Sequence, residues 1–186
     1  MKVQMPEKTL SIFIKTNRLI LKNMETEEIT QEYVNWLNDK DFNRFLSNSD
    51  FDHTKESCCS YVKSFQNKND RALLGMFLKD SGLHLGNITL YIYDWRRCVA
   101  SIGISLGRRG YSGKGFSTEG LIALRNHSFE ELGLHRLEAE VACENIRSLK
   151  LFLKSEFMIE GTLRRSTLVQ GKFLNAYTLG LLNTDI

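Results

Sequence analysis

The stretch from Leu106 to Glu119 carries the clearest chemical signal, because glycines alternate there with polar and basic residues. Its centre reads Gly110-Tyr111-Ser112-Gly113-Lys114-Gly115-Phe116-Ser117, and a helix is predicted to follow from Phe116 to Leu132. Glycine lets a backbone approach a ligand closely, and the start of a helix offers unpaired N–H groups and a positive dipole end. This loop therefore suits a phosphate or pyrophosphate group.

Two nucleotide-binding motifs do not fit this loop. A dinucleotide fingerprint needs Gly-x-Gly-x-x-Gly, and a P-loop needs Ser or Thr directly after its Gly-Lys pair, where Gly115 stands here. The loop instead resembles the pyrophosphate loop of the GNAT acyltransferases, (Gln/Arg)-x-x-Gly-x-(Gly/Ala) between a strand and a helix. Gly113 and Gly115 match that motif, and Gly110 stands at the position of its Gln or Arg. An ordinary glycine-rich strand-to-helix turn remains the alternative.

The second half of the chain extends the resemblance. A predicted strand, His135–Cys143, is followed by Glu144-Asn145-Ile146-Arg147-Ser148 and by a segment that ends in Phe157, as in the second GNAT signature. Thr16-Asn17-Arg18-Leu19-Ile20-Leu21 resembles the opening strand of the branch that contains ribosomal-protein-alanine, polyamine and amino-sugar N-acetyltransferases. The resemblance covers about residues 12 to 182.

The resemblance implies a co-substrate, acetyl-CoA or another acyl-CoA, and no metal. The strand before the loop would pair with the pantetheine amides as an added strand, and one of its N–H groups would stabilise the oxyanion. The residues implied to bind acyl-CoA are Ile104, Leu106, Arg108, Arg109, Gly110, Tyr111, Ser112, Gly113, Lys114, Gly115, Phe116, Ser117, Asn145 and Phe152.

In many relatives a tyrosine protonates the departing CoA thiolate, and that tyrosine is missing here. Phe152 stands where they carry a tyrosine, and Glu156 replaces the glycine before Phe157. Ser148 matches a serine that has this role in part of the branch, with a structural serine in the first turn of a helix as the alternative. Asn145 is the predicted N-cap, and the resemblance adds a role in holding the pantetheine arm or the catalytic water.

A general base is less clearly marked. Ser101 stands where some relatives have a strand glutamate, while Glu138 and Glu140 share one face of a predicted strand, either as base candidates or as a solvated face. An amine with a pKa near 10.4 is about 1 part in 2,500 neutral at pH 7, whereas one with a pKa near 8 is about one tenth neutral. A site without a dedicated base therefore suits an amine of lowered pKa.

The acceptor side is predicted around the first helices. The Trp-Leu-Asn-Asp run resembles that of sugar-modifying relatives, with a core tryptophan followed by a helix stop as the alternative; the candidate residues are Trp36, Asn38, Arg44 and Phe45. We expect a small-molecule acceptor, a nucleotide-linked amino sugar, ahead of a protein N-terminus or a polyamine. A CoA-binding domain without turnover is the alternative from another functional class.

The order of elements predicts a mixed α/β (α+β) fold. Strand-like segments occur near residues 12–21, at Ala72–Leu78, Leu83–Tyr93, Cys98–Leu106 and His135–Cys143, and in a closing hairpin of Phe157–Arg164 and Leu168–Leu182. Helices are predicted over residues 26–37, 54–66, 116–132 and 145–154, with a further turn near Phe45. This order gives a mostly antiparallel sheet of about seven strands, flanked by about four helices, with one crossover.

Composition limits the class of protein. The 186 residues suit one domain, residues 1–186, and a net charge of +3 is too small to indicate nucleic-acid binding. No apolar run is long enough to span a membrane, and residues 1–8 lack the apolar core of a signal peptide. The cysteines (Cys58, Cys59, Cys98, Cys143) indicate reduced thiols and a cytoplasmic protein, and the four histidines lack metal-ligand spacing. A homodimer is one alternative for the oligomeric state.

Overall fold

The structure, a computed structural model, describes residues 9–46 and 51–186. The predicted absence of a signal peptide falls on residues 1–8 and so lies outside this part of the chain. The strands within it are β1 (Phe13–Lys15), β2 (Leu19–Asn23), β3 (Arg71–Leu78), β4 (His84–Asp94), β5 (Val99–Leu106), β6 (Arg136–Ala142), β7 (Met158–Val169) and β8 (Lys172–Leu182). The helices are α1 (Gln31–Asn38), α2 (Lys40–Asn43), α3 (Lys55–Lys63), α4 (Phe116–Glu130) and α5 (Ile146–Lys154), with 3-10 turns at Thr26–Glu28 and Arg109–Tyr111.

The described strands form one eight-stranded sheet in the order β1-β2-β3-β4-β5-β6-β8-β7. All neighbouring strands are antiparallel except β5 and β6, which are parallel and are connected through α4. The predicted mixed fold with one crossover is confirmed, with eight strands in place of about seven.

The parallel pair β5 and β6 is joined at one end only. Its register runs through Val99–Arg136, Ala100–Leu137 and Ser101–Glu138 and then stops. Beyond that point Ile102–Leu106 pairs only with β4, and Ala139–Ala142 pairs only with β8. We call this opening the split. It leaves one edge of β5 with backbone donors and acceptors that no strand in the described part of the chain takes up.

Helices cover the two faces of the sheet unequally. One core lies between the sheet and helices α4 and α5, with Leu121 and Phe152 among its buried side chains. The other lies under α1 and α3, where Val34 and Val62 pack with Leu73 from β3. The face of β6 that carries Glu138 and Glu140 lies outside both cores, so that part of the sheet remains polar.

Two predicted elements have different bounds in the structure. The single helix predicted from Thr26 is divided, because the hydroxyl of Thr30 accepts the N–H of Tyr33 (3.2 Å) and caps a helix that starts later. The closing hairpin has no break at Arg164, because β7 continues to Val169 across a bulge in which Arg165 has a φ of +52°. No helix in the described part of the chain is both long and apolar enough to cross a membrane.

Candidate functional site

A cleft of about 1820 Å³ passes through the sheet at the split. On one side it is lined by Ile104 and Leu106 of β5, by residues of the loop before α4, and by α5; we call this side the donor limb. On the other side, the acceptor limb, it is lined by side chains from α1, α3 and their connections. The cleft thus connects the candidate phosphate loop to a second, separate binding space.

The loop before α4 has the backbone that its glycines predict. Gly113 (φ +76°) and Gly115 (φ +83°) are both in the left-handed region, whereas Gly110 is not. Gly115 is the N-cap of the 15-residue helix α4, and no side chain of the described residues caps that end. The first N–H groups of α4 are therefore free for a ligand in the cleft, which is the donor set that a pyrophosphate requires.

An ion pair between Arg18 and Glu119, partly exposed to solvent, holds this loop in place. The carboxylate of Glu119 accepts hydrogen bonds from Thr16 Oγ1 (2.6 Å), Arg18 N (2.8 Å) and Arg18 Nε (2.6 Å). Arg18 Nη1 donates to the carbonyl of Lys114 (3.0 Å), and its guanidinium lies 4.1 Å from the Phe116 ring centre. Burial alone would raise the pKa of Glu119, but these hydrogen bonds lower it, so the carboxylate stays ionised.

The two arginines of the loop face acidic residues. Arg108 donates from Nε to the carbonyl of His84 (2.8 Å) and forms an ion pair with Glu32. Arg109 binds Asp39 through Nη2 (2.7 and 2.6 Å), and a second acid, Asp41, lies 3.6 Å away. They join the loop to the first helices. Of the predicted acyl-CoA contacts, three do not line the cleft: Arg108, Gly110 and Lys114.

Helix α5 brings positive charge to the donor limb. Arg147, Lys150 and Lys154 all line the cleft. They lie three and four residues apart, a spacing that places side chains on neighbouring turns of one helix face. These three cations were not predicted from the sequence, although their spacing could have identified them. They are suited to the phosphate groups of CoA.

The residues considered for thiolate protonation lie at the start and middle of α5. Asn145 is the N-cap, as predicted, and its side chain accepts the Ser148 N–H (3.2 Å). Ser148 lines the cleft, and within residues 9–46 and 51–186 its hydroxyl makes no hydrogen bond. Phe152 is buried at 2% exposure and packs edge-on against Phe157, with ring centres 5.1 Å apart. A phenyl ring cannot donate a proton, whereas the Ser148 hydroxyl can.

Glu156 has an unusual backbone for its residue type. Its φ is +71°, in the left-handed region that favours glycine, which is the residue that the family pattern has here. Its carboxylate forms an ion pair with the buried Arg125 of α4, and Arg125 also donates to the Ser155 carbonyl (3.3 Å). This departure from the family therefore links the end of α5 to α4.

The two base candidates share a face of β6, as predicted, but only one lies at the cleft. Glu138 is level with the last β5–β6 pair and accepts hydrogen bonds from Arg136 (2.7 Å) and Tyr93. Burial alone would raise the pKa of Glu138, but these donors lower it, and Glu138 is not part of the cleft lining. Glu140 lies beyond the last pair, lines the cleft and accepts a hydrogen bond from Ser166 Oγ (3.1 Å).

The predicted acceptor residues divide in the same way. Trp36 packs on Gly107, and its ring centre lies 5.2 Å from the ring centre of His84. These contacts fit the structural alternative for Trp36, a tryptophan packed in the core. Asn38 holds the backbone of His53 through two hydrogen bonds of 2.8 Å. Arg44 and Phe45 line the acceptor limb; Trp36 and Asn38 do not.

Two aromatic side chains that were not predicted from the sequence also line the acceptor limb. Phe51 and Tyr61 line it and are 69% and 40% exposed. The Arg44 guanidinium lies 4.4 Å from the Phe45 ring centre and 3.6 Å from Glu144. Burial raises the pKa of Tyr61, so its phenol is neutral at physiological pH. The described residues contain no group of three or more His, Cys, Asp or Glu able to hold a metal ion.

Comparison with known proteins agrees with this geometry. A family model described as an acetyltransferase (GNAT) domain matches residues 18–158. The uncharacterized N-acetyltransferase p20 of Bacillus licheniformis is 29% identical over 176 residues, which cover 91% of this chain and 96% of that protein. The fold is similar to the spermidine N-acetyltransferase of Vibrio cholerae solved with CoA and spermine (TM-score 0.81, 18% identity, 91% and 98% coverage). It is also similar to the microcin C7 self-immunity acetyltransferase MccE solved with acetyl-CoA and AMP (TM-score 0.78, 19% identity, 90% and 93% coverage).

Proposed function

Because the chain belongs to the GNAT acetyltransferase family and is an acyl-CoA-dependent N-acetyltransferase, we propose that its acceptor is the primary amine of a nucleotide-linked amino sugar. The observation that carries this proposal is the form of the cleft. A donor limb with a phosphate loop continues through the split into an acceptor limb with exposed aromatic rings and an arginine.

The donor limb fits acetyl-CoA on three counts. The free edge of Ile102–Leu106 can pair with the pantetheine amides, and an N–H of that edge can stabilise negative charge on the carbonyl oxygen. The start of α4 can take the pyrophosphate, and the cations of α5 lie along the same limb. When bound, acetyl-CoA supplies the thioester that the amine attacks.

Two side chains of the cleft are proposed for proton transfer. Glu140 is the β6 carboxylate that lines the cleft, and it would accept the proton of the attacking amine, directly or through water. Ser148 would donate a proton toward the sulfur, because its hydroxyl is not engaged within the described chain. A CoA thiol has a pKa close to the ~8.5 of a free thiol, so this assistance is expected to be modest.

The exposed rings of the acceptor limb favour a nucleotide over a polyamine. Phe51 and Tyr61 offer ring faces on which a base can stack, a contact that a polyamine would not use. The guanidinium of Arg44 lines the same limb and could face a phosphate. Among proteins of similar fold, MccE was solved with AMP as well as acetyl-CoA.

The test is a thiol-release assay with acetyl-CoA and a panel of acceptors. The panel contains nucleotide-linked amino sugars, spermidine, and peptides with free N-terminal alanine or serine. We expect the highest kcat/KM for a nucleotide-linked amino sugar, with a pH profile that follows the pKa of its own amine, about 7–8. A higher kcat/KM for spermidine or a peptide would contradict the proposed acceptor.

We also propose a cytosolic location, because all four cysteines are free thiols, and we retain the homodimer as a proposal. Cell fractionation tests the first, and light scattering of the purified protein tests the second.

A further inference from the structure

The bulge in β7 contains more than one extra residue. The regular pairing of β7 with β8 stops at Leu163 and resumes at Thr167. The three residues in between, 164–166, lie opposite a single residue of β8, Asn175. Bulges bend a strand and redirect its side chains, and they are frequent next to active sites. Residues 164–166 therefore take positions that a regular edge strand would not give them.

Asn175 fixes the shape of this bulge. Its side-chain Oδ1 accepts the N–H of Arg165 (3.0 Å), the residue with a φ of +52°. This backbone conformation is uncommon for a residue other than glycine, and the hydrogen bond to Asn175 holds it. The carbonyl of Asn175 accepts the N–H of Cys143 (2.9 Å), which directly follows β6. The bulge is therefore tied through β8 to the end of β6.

The bulge brings Ser166 into contact with the cleft carboxylate of β6. Strand β8 lies between β7 and β6, so these two strands are roughly 9–10 Å apart, twice the usual strand spacing. Ser166 Oγ nevertheless donates a hydrogen bond to Glu140 Oε1 (3.1 Å). Within the described part of the chain, no other group hydrogen-bonds the Glu140 side chain, and its Oε2 is free.

A second bridge over β8 shows how differently the two glutamates of β6 are held. Arg136 donates to Glu160 of β7 (2.8 Å), and both side chains lie where a Cβ on Gly180 would be. Arg136 is also one of the two donors that hold Glu138, which lies outside the cleft lining. Glu140, in contrast, has one oxygen fixed and one available in the cleft. That arrangement suits a carboxylate that must accept a proton.

We propose that Ser166 is a positioning residue that orients Glu140 for proton transfer. This inference rests on the proposed function, in which Glu140 accepts the proton of the attacking amine. As the amine nitrogen bonds to the thioester carbon and the C–S bond breaks, the nitrogen loses a proton to Glu140 Oε2, directly or through water. Glu140 is exposed to solvent, so without Ser166 its carboxylate would rotate among several orientations.

The first test compares variants of β7 in the thiol-release assay, with acetyl-CoA and the acceptor of the panel that has the highest kcat/KM. Ser166→Ala should lower kcat about three- to tenfold, the effect of losing one hydrogen bond, without weakening acetyl-CoA binding. Ser166→Thr keeps the hydroxyl and should restore kcat. Full kcat in Ser166→Ala, or an equal loss in Ser166→Thr, would overturn the proposal.

Thr162→Ala is the matched control. Thr162 is an exposed residue of the same strand, and its hydroxyl makes no hydrogen bond within residues 9–46 and 51–186. The variant therefore removes a hydroxyl and a methyl group from β7 without touching Glu140, and kcat should not change. A loss in Thr162→Ala as large as in Ser166→Ala would mean that kcat reports only the stability of the strand, and this would overturn the proposal.

A double-mutant cycle tests whether Ser166 acts through Glu140. Ser166→Ala in the Glu140→Gln background should cause no further loss of kcat, because the carboxylate that the hydroxyl orients is already absent. Losses that multiply in the double variant would show that Ser166 acts on something else, and the proposal would then be wrong.

The failure of this inference differs from the failure of the proposed function. If Glu140→Gln lowers kcat but Ser166→Ala does not, the proposed base stands and the positioning role is wrong. If Glu140→Gln keeps full kcat with chemistry rate-limiting, the proposed base itself is wrong. The acceptor class is decided separately by the comparison of kcat/KM across the panel.

Discussion

Replacing Gly113 by alanine is expected to weaken CoA binding or fold stability by a predictable total. The φ of Gly113 is +76°, and a Cβ built there meets no atom within 4 Å. The penalty is therefore that of the backbone alone, about 1–2 kcal/mol for an L-residue in the left-handed region. If residue 113 leaves the left-handed conformation in the CoA-free protein, the penalty weakens CoA binding, and 1.4 kcal/mol corresponds to a tenfold loss of affinity. If residue 113 keeps that conformation without CoA, the penalty lowers the free energy of unfolding instead.

Two measurements on the same variant divide this penalty: calorimetric titration with CoA and unfolding in urea. The loss of binding free energy and the loss of unfolding free energy should sum to about 1–2 kcal/mol. Gly113→Asp should bind CoA more weakly still, because its carboxylate adds like charge near the pyrophosphate. Gly113→Asn should be milder, because asparagine tolerates this backbone and is neutral.

Gly110 provides the matched control. It lies in the same loop and has open space around it, but its φ is not positive. Gly110→Ala should therefore leave both quantities nearly unchanged, and Gly110→Asp separates the effect of charge from that of the backbone. Wild-type CoA affinity in a folded Gly113→Asp protein, or equal losses in Gly110→Ala and Gly113→Ala, would refute the reasoning.

Three further predictions concern the remaining site and the core. Ser148→Ala should lower kcat about tenfold to a hundredfold with little change in acetyl-CoA affinity, and Phe152→Tyr in that background should restore part of it; an unchanged kcat, with chemistry rate-limiting, would leave Ser148 a structural serine. Glu140→Gln should lower kcat/KM by a similar factor across the pH profile, because the neutral amine attacks in both proteins and only the acceptor of its proton is lost, whereas Glu138→Gln should not lower it. Equal losses in the two variants would contradict the assignment. Burial lowers the pKa of His84 in the folded protein below its value in the unfolded chain. As the pH falls, the unfolded chain therefore binds a proton at a higher pH than the folded protein does. The free energy of unfolding should decrease as the pH drops below about 6.5. Thermal unfolding at pH 7.5 and 5.5 should show a smaller loss for His84→Gln than for wild type; equal losses would contradict this.

The sequence predicted the features that depend on residues close together in the chain, such as the glycine loop, the cap of α5 and the faces of β6. Gly113 and Gly115 have the left-handed backbone of a ligand loop, and Asn145 caps α5. The alternation of apolar residues in β6 correctly placed its two glutamates on one face. Each of these features depends on residues within a few positions of one another.

The parts that could not be predicted depend on distant partners. Arg108 and Arg109 pair with Glu32 and Asp39, which lie 76 and 70 residues earlier in the chain, and nothing near the loop marks these pairs. The difference between the two glutamates of β6 arises because its pairing with β5 ends at Glu138, and nothing in the alternation marks that point. A small pocket next to the acceptor limb likewise combines Asn43 of α2 with Gln170 at the tip of the last hairpin.

Amide hydrogen exchange with and without saturating CoA tests the central claim most directly, because the claim is that acetyl-CoA lies in the split. The free edge of β5 and the start of α4 should be the segments that CoA protects. We predict slower exchange within residues 102–106 and 112–118, and little change in β7, which lies at the far edge of the sheet. CoA binding that leaves exchange in both segments unchanged would contradict the account.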